Sequence, residues 1–416
     1  MADYPNVVGS YSNQLYTDTV KFYEINNMFT ESNISIHSEH TTIEYKDVVF
    51  GLCQYIVVGK RVNKEEAHPL VLTSTDGNNW MEQDTNLQNE TNKWFTGICS
   101  GGGSFLVLAF DGKAYYIYST IDGSKYRLLY TVEEGVVLTK TIYDKLNSVF
   151  MVVGYSETEG IVLTIEENEL FTCGAYFPDK LGRVELYDAI ACCGTYFVVG
   201  KKIEDSKEYP FIGRFEDGAI NDFINVSYSV NNDDTTPLNK QYGVFYKVVN
   251  YYNTIFVFGK NDDENFVYIS VDNGIQWRKR MLTKCPILPD FKFDDIAVCN
   301  NWFLFLDKST GDILQGKAIM ERGICKQFEY TDIERIICIN NFVYILRPNC
   351  ILYSRLRCSL SRSSLAQETL ERLYPVGTKI IYSDKHHPKP TNSIHFGIWD
   401  GPTENGKQQY EYIRVL

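Results

Sequence analysis

The spacing most suggestive of chemistry falls in YISVDNGIQWRKR, residues 268–280, where Ser270, Asp272, Gly274 and Trp277 stand at fixed offsets. A hydroxyl two residues from a carboxylate can be a fragment of an active site or part of a tight turn. Acid–base work of that kind calls for a general base, most often histidine. The chain has six histidines, His37, His40, His68, His386, His387 and His395, and none lies between residues 69 and 385. Most of the chain therefore has no histidine base to offer. A glycosidase would instead need two carboxylates about 5–10 Å apart. The 53 acidic residues neither exclude such a pair nor point to one.

Other candidate groups also read as structural. The acid clusters NNDDTT (231–236) and NDDENF (261–266) read as solvated turns, with a calcium site as the alternative. His386, His387 and His395 cluster near the C-terminus, but a metal centre needs more ligands, and HHPKP reads as a loop. GGGS (101–104) follows a strand and opens no helix, so it is a hairpin turn and not a phosphate cradle. The eleven cysteines have no CxxC pair or metal-finger spacing. They read as small buried hydrophobes with free thiols, which fits a reducing cytosol. The expectation is no catalytic residue, no metal and no cofactor: not an enzyme.

Composition narrows the partners. A formal net charge of −13 and a pI near 5.1 argue against general nucleic-acid binding, which needs a basic footprint. With 44% hydrophobic and 14% aromatic residues, the 416-residue chain can bury a substantial core. The start shows no basic stretch followed by an apolar one, so no signal peptide is expected. No apolar run reaches the roughly 18 residues of a membrane span.

The elements that must position these residues come from an internal repeat. A short apolar strand, often ending in glycine, recurs as YIVVGK (55–60), FLVLAF (105–110), FMVVGY (150–155), YFVVGK (196–201), IFVFGK (255–260), WFLFLD (302–307) and FVYILR (342–347). Before each lies another apolar segment and a small turn; after most come a third strand, a second turn and a more polar fourth segment. Four strands every 40–59 residues, seven times over, predict an all-β, seven-bladed β-propeller over residues 46–357. Continuous runs such as Phe197-Val198-Val199 suit strands covered on both faces. Residues 1–45 are expected to form an N-terminal arm, with a strand inside ISIHSEHTTIEY (34–45) closing the ring. The long connections 62–69, 202–209 and 229–240 are the ones expected to reach a ligand.

Ser270-x-Asp272-x-Gly274-x-x-Trp277 resembles the Asp-box turn of sialidase-type and related BNR-repeat propellers. Ser74, Asp76, Gly77 and Trp80 form a version shorter by one residue, and STIDGSKY and FEDGAI read as worn copies. In this turn aspartate accepts backbone N–H groups, glycine supplies positive φ and tryptophan packs on the blade. Sialidases with this turn also carry an arginine triad, a Tyr–Glu pair and an acid aspartate, and their Phe/Tyr-Arg-Ile/Leu-Pro motif is missing here. The motif therefore speaks for fold, not for chemistry.

Beyond Cys358 the pattern changes, and residues 358–416 are expected to form a small helix-plus-β attachment segment. SSLAQETLERL has a capping box, Ser364-x-x-Gln367, ahead of Leu370 and Leu373, and Pro375 ends the helix. Strands are expected at 379–383 and 410–416. The stretch from Tyr374 to Trp399 resembles a segment of tailed-bacteriophage tail-fibre and baseplate proteins, YPVGSIYxS…NP…FGGTW. It matches at Tyr374, Pro375, Val376 and Gly377, then Phe396, Gly397 and Trp399; Lys379 and a longer middle depart from it. The resemblance implies a virion structural protein of a phage tail, in a baseplate, tail tip or fibre, assembled in the host cytoplasm. Its implied partners are other tail proteins and a host cell-surface glycan or wall polymer, with symmetric copies of this chain. A glycan-cleaving propeller enzyme and a purely structural assembly component are the alternatives.

Overall fold

The computed structural model describes residues 29–36, 42–166, 183–192, 194–215, 223–225, 242–251, 254–262, 264–282, 291–299, 302–316, 324–326, 332–340, 342–355, 379–382, 399–404 and 410–414. Every regular element among them is a β-strand. The repeat folds as a seven-bladed β-propeller, each blade an antiparallel meander. Blade one runs Thr42–Gly51, Gln54–Asn63, Glu66–Ser74 and Asn79–Glu82. The innermost strands of blades two to seven are Trp94–Gly101, Val137–Asp144, Arg183–Cys192, Val244–Tyr251, Asp295–Cys299 and Arg335–Ile339.

Burial follows the apolar runs. Ile56, Val57 and Val58, like Phe197, Val198 and Val199, are fully buried, because each second strand is packed between two neighbouring blades. Seven hydrophobic clusters result, one at each blade–blade interface. The cluster between blades seven and one joins Tyr45 and Trp80 to Tyr344 and Leu346, so the ring is closed.

The glycine that ends so many repeats has a specific cause. In blades one to five the innermost strand carries a bulge, at Tyr45/Asp47, Phe95/Gly97, Leu138/Lys140, Leu186/Asp188 and Phe245/Lys247. The bulge presses a carbonyl towards the second strand. A Cβ at Gly59 would lie 2.1 Å from the Glu44 carbonyl oxygen, and one at Gly200 would lie 1.8 Å from that of Glu185. Glycine stands opposite the bulge in blades one, three, four and five, and blade two has the small Ala109 at the paired position.

Closure differs from the expectation of a strand within 34–45. The fourth strand of blade seven is Thr30–Glu31, antiparallel to Cys350–Arg355. Asn33–Ser35 then lies parallel to the outer strand of blade one, and Thr42–Tyr45 opens that blade's innermost strand. One short segment thus covers the edges of two blades, and Phe29 packs into the interface of blades six and seven. Edges left open would template association with other chains. The connections at 62–69 and 202–209 are not free loops either. They are long strands joined by tight turns with positive φ at Lys64 and Glu65 and at Asp205 and Ser206.

Strands at Lys379–Tyr382, Trp399–Glu404 and Tyr410–Arg414 form a separate three-stranded antiparallel sheet. The first and last coincide with the two strands expected for this segment. The helix expected over 364–373 lies outside the described residues.

Candidate functional site

The bulges position a ring of charge around the propeller axis. Each one turns the residue after it towards the following blade, at the place paired with the buried core of the second strand. Going round the ring these residues are Asp47, Gly97, Lys140, Asp188 and Lys247, continued by Asp295 and Arg335 at the start of the innermost strands of blades six and seven. Acids and bases alternate except where blade two has glycine.

Each acid joins its own blade to the next. Asp188 accepts the backbone N–H of Val248 at 3.0 Å, Asp295 that of Ile336 at 3.1 Å, and Asp47 that of Ile98 at 3.4 Å. Two bases pair with acids of the next blade: Arg335 with Asp47 at 3.1 Å, and Lys247 with Asp295 at 3.4 Å. Burial works to raise the Asp295 carboxyl, but Lys247 and Arg335 outweigh it and hold it below the usual carboxylate range. Burial also pulls against the Arg335 guanidinium, and Asp47 and Asp295 more than restore its proton. These carboxylates are consumed by structure. None of the three is a free acid or base, and no group of three metal-ligating side chains occurs among the described residues.

Both Ser–Asp–Gly turns are held by their own side chains. Ser74 Oγ donates to Asp76 at 2.9 Å and accepts the Gly77 N–H, while Asp76 accepts the N–H groups of Asn78 and Asn79. Ser270, Asp272 and Gly274 repeat the pattern, and Asp272 takes the Gln276 N–H. Gly77 and Gly274 sit at φ +75° and +79°. Trp80 and Trp277 are fully buried against the preceding blade, Trp80 beside Tyr344 and Trp277 beside Phe197. Trp277 Nε1 donates to the Gly274 carbonyl at 3.1 Å. The supposedly worn copy in blade two keeps the geometry: Thr120 Oγ1 accepts the Gly123 N–H, Asp122 caps Ser124 and Lys125, and Tyr126 is buried in the tryptophan's place. FEDGAI runs beyond the described residues.

A Tyr–Glu pair does exist, Tyr187 Oη donating to Glu185 at 2.7 Å. Burial, then that hydrogen bond, keeps the phenol protonated by pushing its pKa well up. Glu185 is already paired with Arg183 at 2.8 Å and Lys201 at 3.3 Å, so the pair reads as part of a structural ion network. Asn261 and Glu264 of the second acid cluster close a hairpin turn through mutual hydrogen bonds, whereas 231–236 lies outside the described residues. Of the C-terminal motif, Trp399 begins a strand paired with Arg414. Tyr374, Pro375, Val376, Gly377, Phe396 and Gly397 lie outside the described residues.

The face that carries the Ser–Asp–Gly turns exposes aliphatic side chains at four of its turns. Leu52 and Leu146 stand at the tips of first hairpins, Ile121 and Ile275 in turns after third strands, all on that face, and they are 47%, 70%, 69% and 68% exposed. Tips of this kind are normally polar.

No family model and no curated protein matches the sequence. Among solved structures the chain is similar to one from the COPII outer coat vertex on membranes, at 10% identity and a TM-score of 0.51, covering 80% of this chain and 88% of that one. It is also similar to the β-propeller domain of the Trilobed protease from Pyrococcus furiosus (11% identity, TM-score 0.48, 76% of this chain and 96% of that one). A third similarity is to Pyrococcus horikoshii acylaminoacyl peptidase (9% identity, TM-score 0.49, 82% of this chain and 55% of that one). At such identities the likeness concerns the fold.

Proposed function

We propose that this chain is a structural protein of a phage tail, in a baseplate, tail tip or fibre, whose propeller serves recognition and not catalysis. The observation that carries the reading is the resemblance of residues 374–399 to a segment of tail-fibre and baseplate proteins. One feature of the propeller supports its second half: the ring carboxylates are committed to inter-blade hydrogen bonds and ion pairs.

The test is to incubate the purified chain with host-type glycans and cell-wall polymers, recording retention and released fragments over hours. Retention without release is the expected outcome. Release of soluble sugar would replace this reading with a glycan-cleaving propeller. Absence of both would make the protein an assembly component alone.

A further inference from the structure

The residue that follows the repeated Gly or Ala of each second strand lies towards the face opposite the Ser–Asp–Gly turns, as the pairing of Lys60 with Pro69 at the start of a third strand shows. Blades one, four and five place a lysine there, Lys60, Lys201 and Lys260, whereas blades two and three place aromatic rings, Phe110 and Tyr155. All five side chains are half-buried.

The aromatic sector is held in place. Phe110 forms a cross-strand row with Trp94 and Tyr115, with ring centroids 5.4 Å and 4.5 Å away. Tyr187 of blade four packs edge-on against Tyr155 at 6.0 Å, and its own hydroxyl donates to Glu185 at 2.7 Å. Lys60 Nζ stands 4.7 Å from the centre of the Trp94 ring. Rings of blades two and three are thus bracketed by lysines of blades one and four.

Those lysines carry no spare charge. Lys60 is paired with Glu44 at 3.9 Å, and Lys201 with Glu185 at 3.3 Å and Glu208 at 2.6 Å. An anionic ligand would find each ammonium already matched, and a nucleic acid would meet a chain of net charge −13. Nor is the sector aliphatic: Ile121, Leu146 and Ile275, the most exposed large hydrophobics among the described residues, stand on the other face. A neutral sugar fits what is present. Its ring offers a face of C–H groups to pack on an aromatic ring, and its hydroxyls need polar groups at the margin.

We propose that this face holds a neutral glycan chain across blades two and three, stacked on Trp94, Phe110 and Tyr155, with hydroxyls bonded to the Lys60–Glu44 and Lys201–Glu185 pairs. The proposal rests on the recognition reading above and names its ligand class and its surface.

Affinity electrophoresis through gels containing dextran, mannan or galactan, with alginate as the acidic counterpart, tests it. Wild type is expected to be retarded by at least one neutral polymer and not by alginate. Trp94→Ala and Tyr155→Ala should each weaken that retardation about tenfold or more, while Leu146→Ser, on the other face, should leave it unchanged. Retardation that survives both aromatic substitutions would overturn this surface and leave the recognition reading standing. Retardation by alginate alone would overturn the neutral class. No retardation by any of the four refutes the proposal, and retention on host cell-wall polymers would then uphold recognition without it. Should a variant fail to fold, acrylamide quenching of the wild-type tryptophan fluorescence decides: a neutral polymer should shield Trp94, and unchanged quenching with all three refutes the stacking.

Discussion

The phenol hydroxyl of Tyr344 donates to the carbonyl oxygen of Gly77 at 3.0 Å, tying the second strand of blade seven to a turn of blade one. The two residues are also in steric register, since a Cβ on Gly77 would lie 2.3 Å from that hydroxyl. Tyr344→Phe should cost about 1–2 kcal/mol by leaving a buried carbonyl unmatched. Gly77→Ala should cost more, because it adds a clash to a φ of +75°. In the double variant the clash is partly relieved, so the costs measured by denaturant unfolding should sum to less than the two singles.

Arg335 and Asp47 close the ring electrostatically across the same seam, 3.1 Å apart and largely buried. Arg335→Met leaves Asp47 without its cation, at an expected cost of about 3–5 kcal/mol. Adding Asp47→Asn should recover part of that loss. A double-variant cost equal to the sum of the two single costs, read from chemical denaturation, would show that the pair is not coupled.

Acid should weaken the turn that Asp76 caps. Backbone N–H groups of Asn79 and Asn78, then the Asn79 side chain and Ser74, hold the Asp76 carboxyl well below the usual carboxylate range. Its folded value is thus lower than its unfolded value. The stabilisation is complete above about pH 4 and is lost as pH falls towards the folded value. Asp76→Asn should therefore unfold at a lower temperature than wild type near neutrality, and the gap should narrow below about pH 4. Thermal scans across that interval check it.

The blade repeat and the Ser–Asp–Gly–Trp turns were legible in the sequence because both are local: a buried strand reads as an apolar run, and a turn reads as fixed side-chain offsets. STIDGSKY looked degenerate only by residue identity, since Thr120 and Tyr126 replace serine and tryptophan in the same roles. The charged ring was hidden because its members are single residues in separate strands, brought together by ring closure. Its available signal was indirect, the glycine opposite the bulge in blades one, three, four and five. Thr30–Glu31 offered no period to read, being two residues long. The connections at 62–69 and 202–209 are polar enough to resemble loops, yet pair residue for residue as strand extensions.

The pairing of Thr30 with Tyr353 also sets the order in which the protein can be made. One edge of the closing blade, at Thr30, leaves the ribosome well before its partner at Tyr353. At rates of about 5–20 residues per second the first waits roughly 15–65 s for the second. Through that interval Phe29, and the face of blade one that will meet Tyr344 and Leu346, have no cover from blade seven. So distant a contact rewards the chain only after the loop-closure entropy has been met. The seam between blades seven and one is therefore where a nascent chain is most exposed to pairing with a neighbour on the same message.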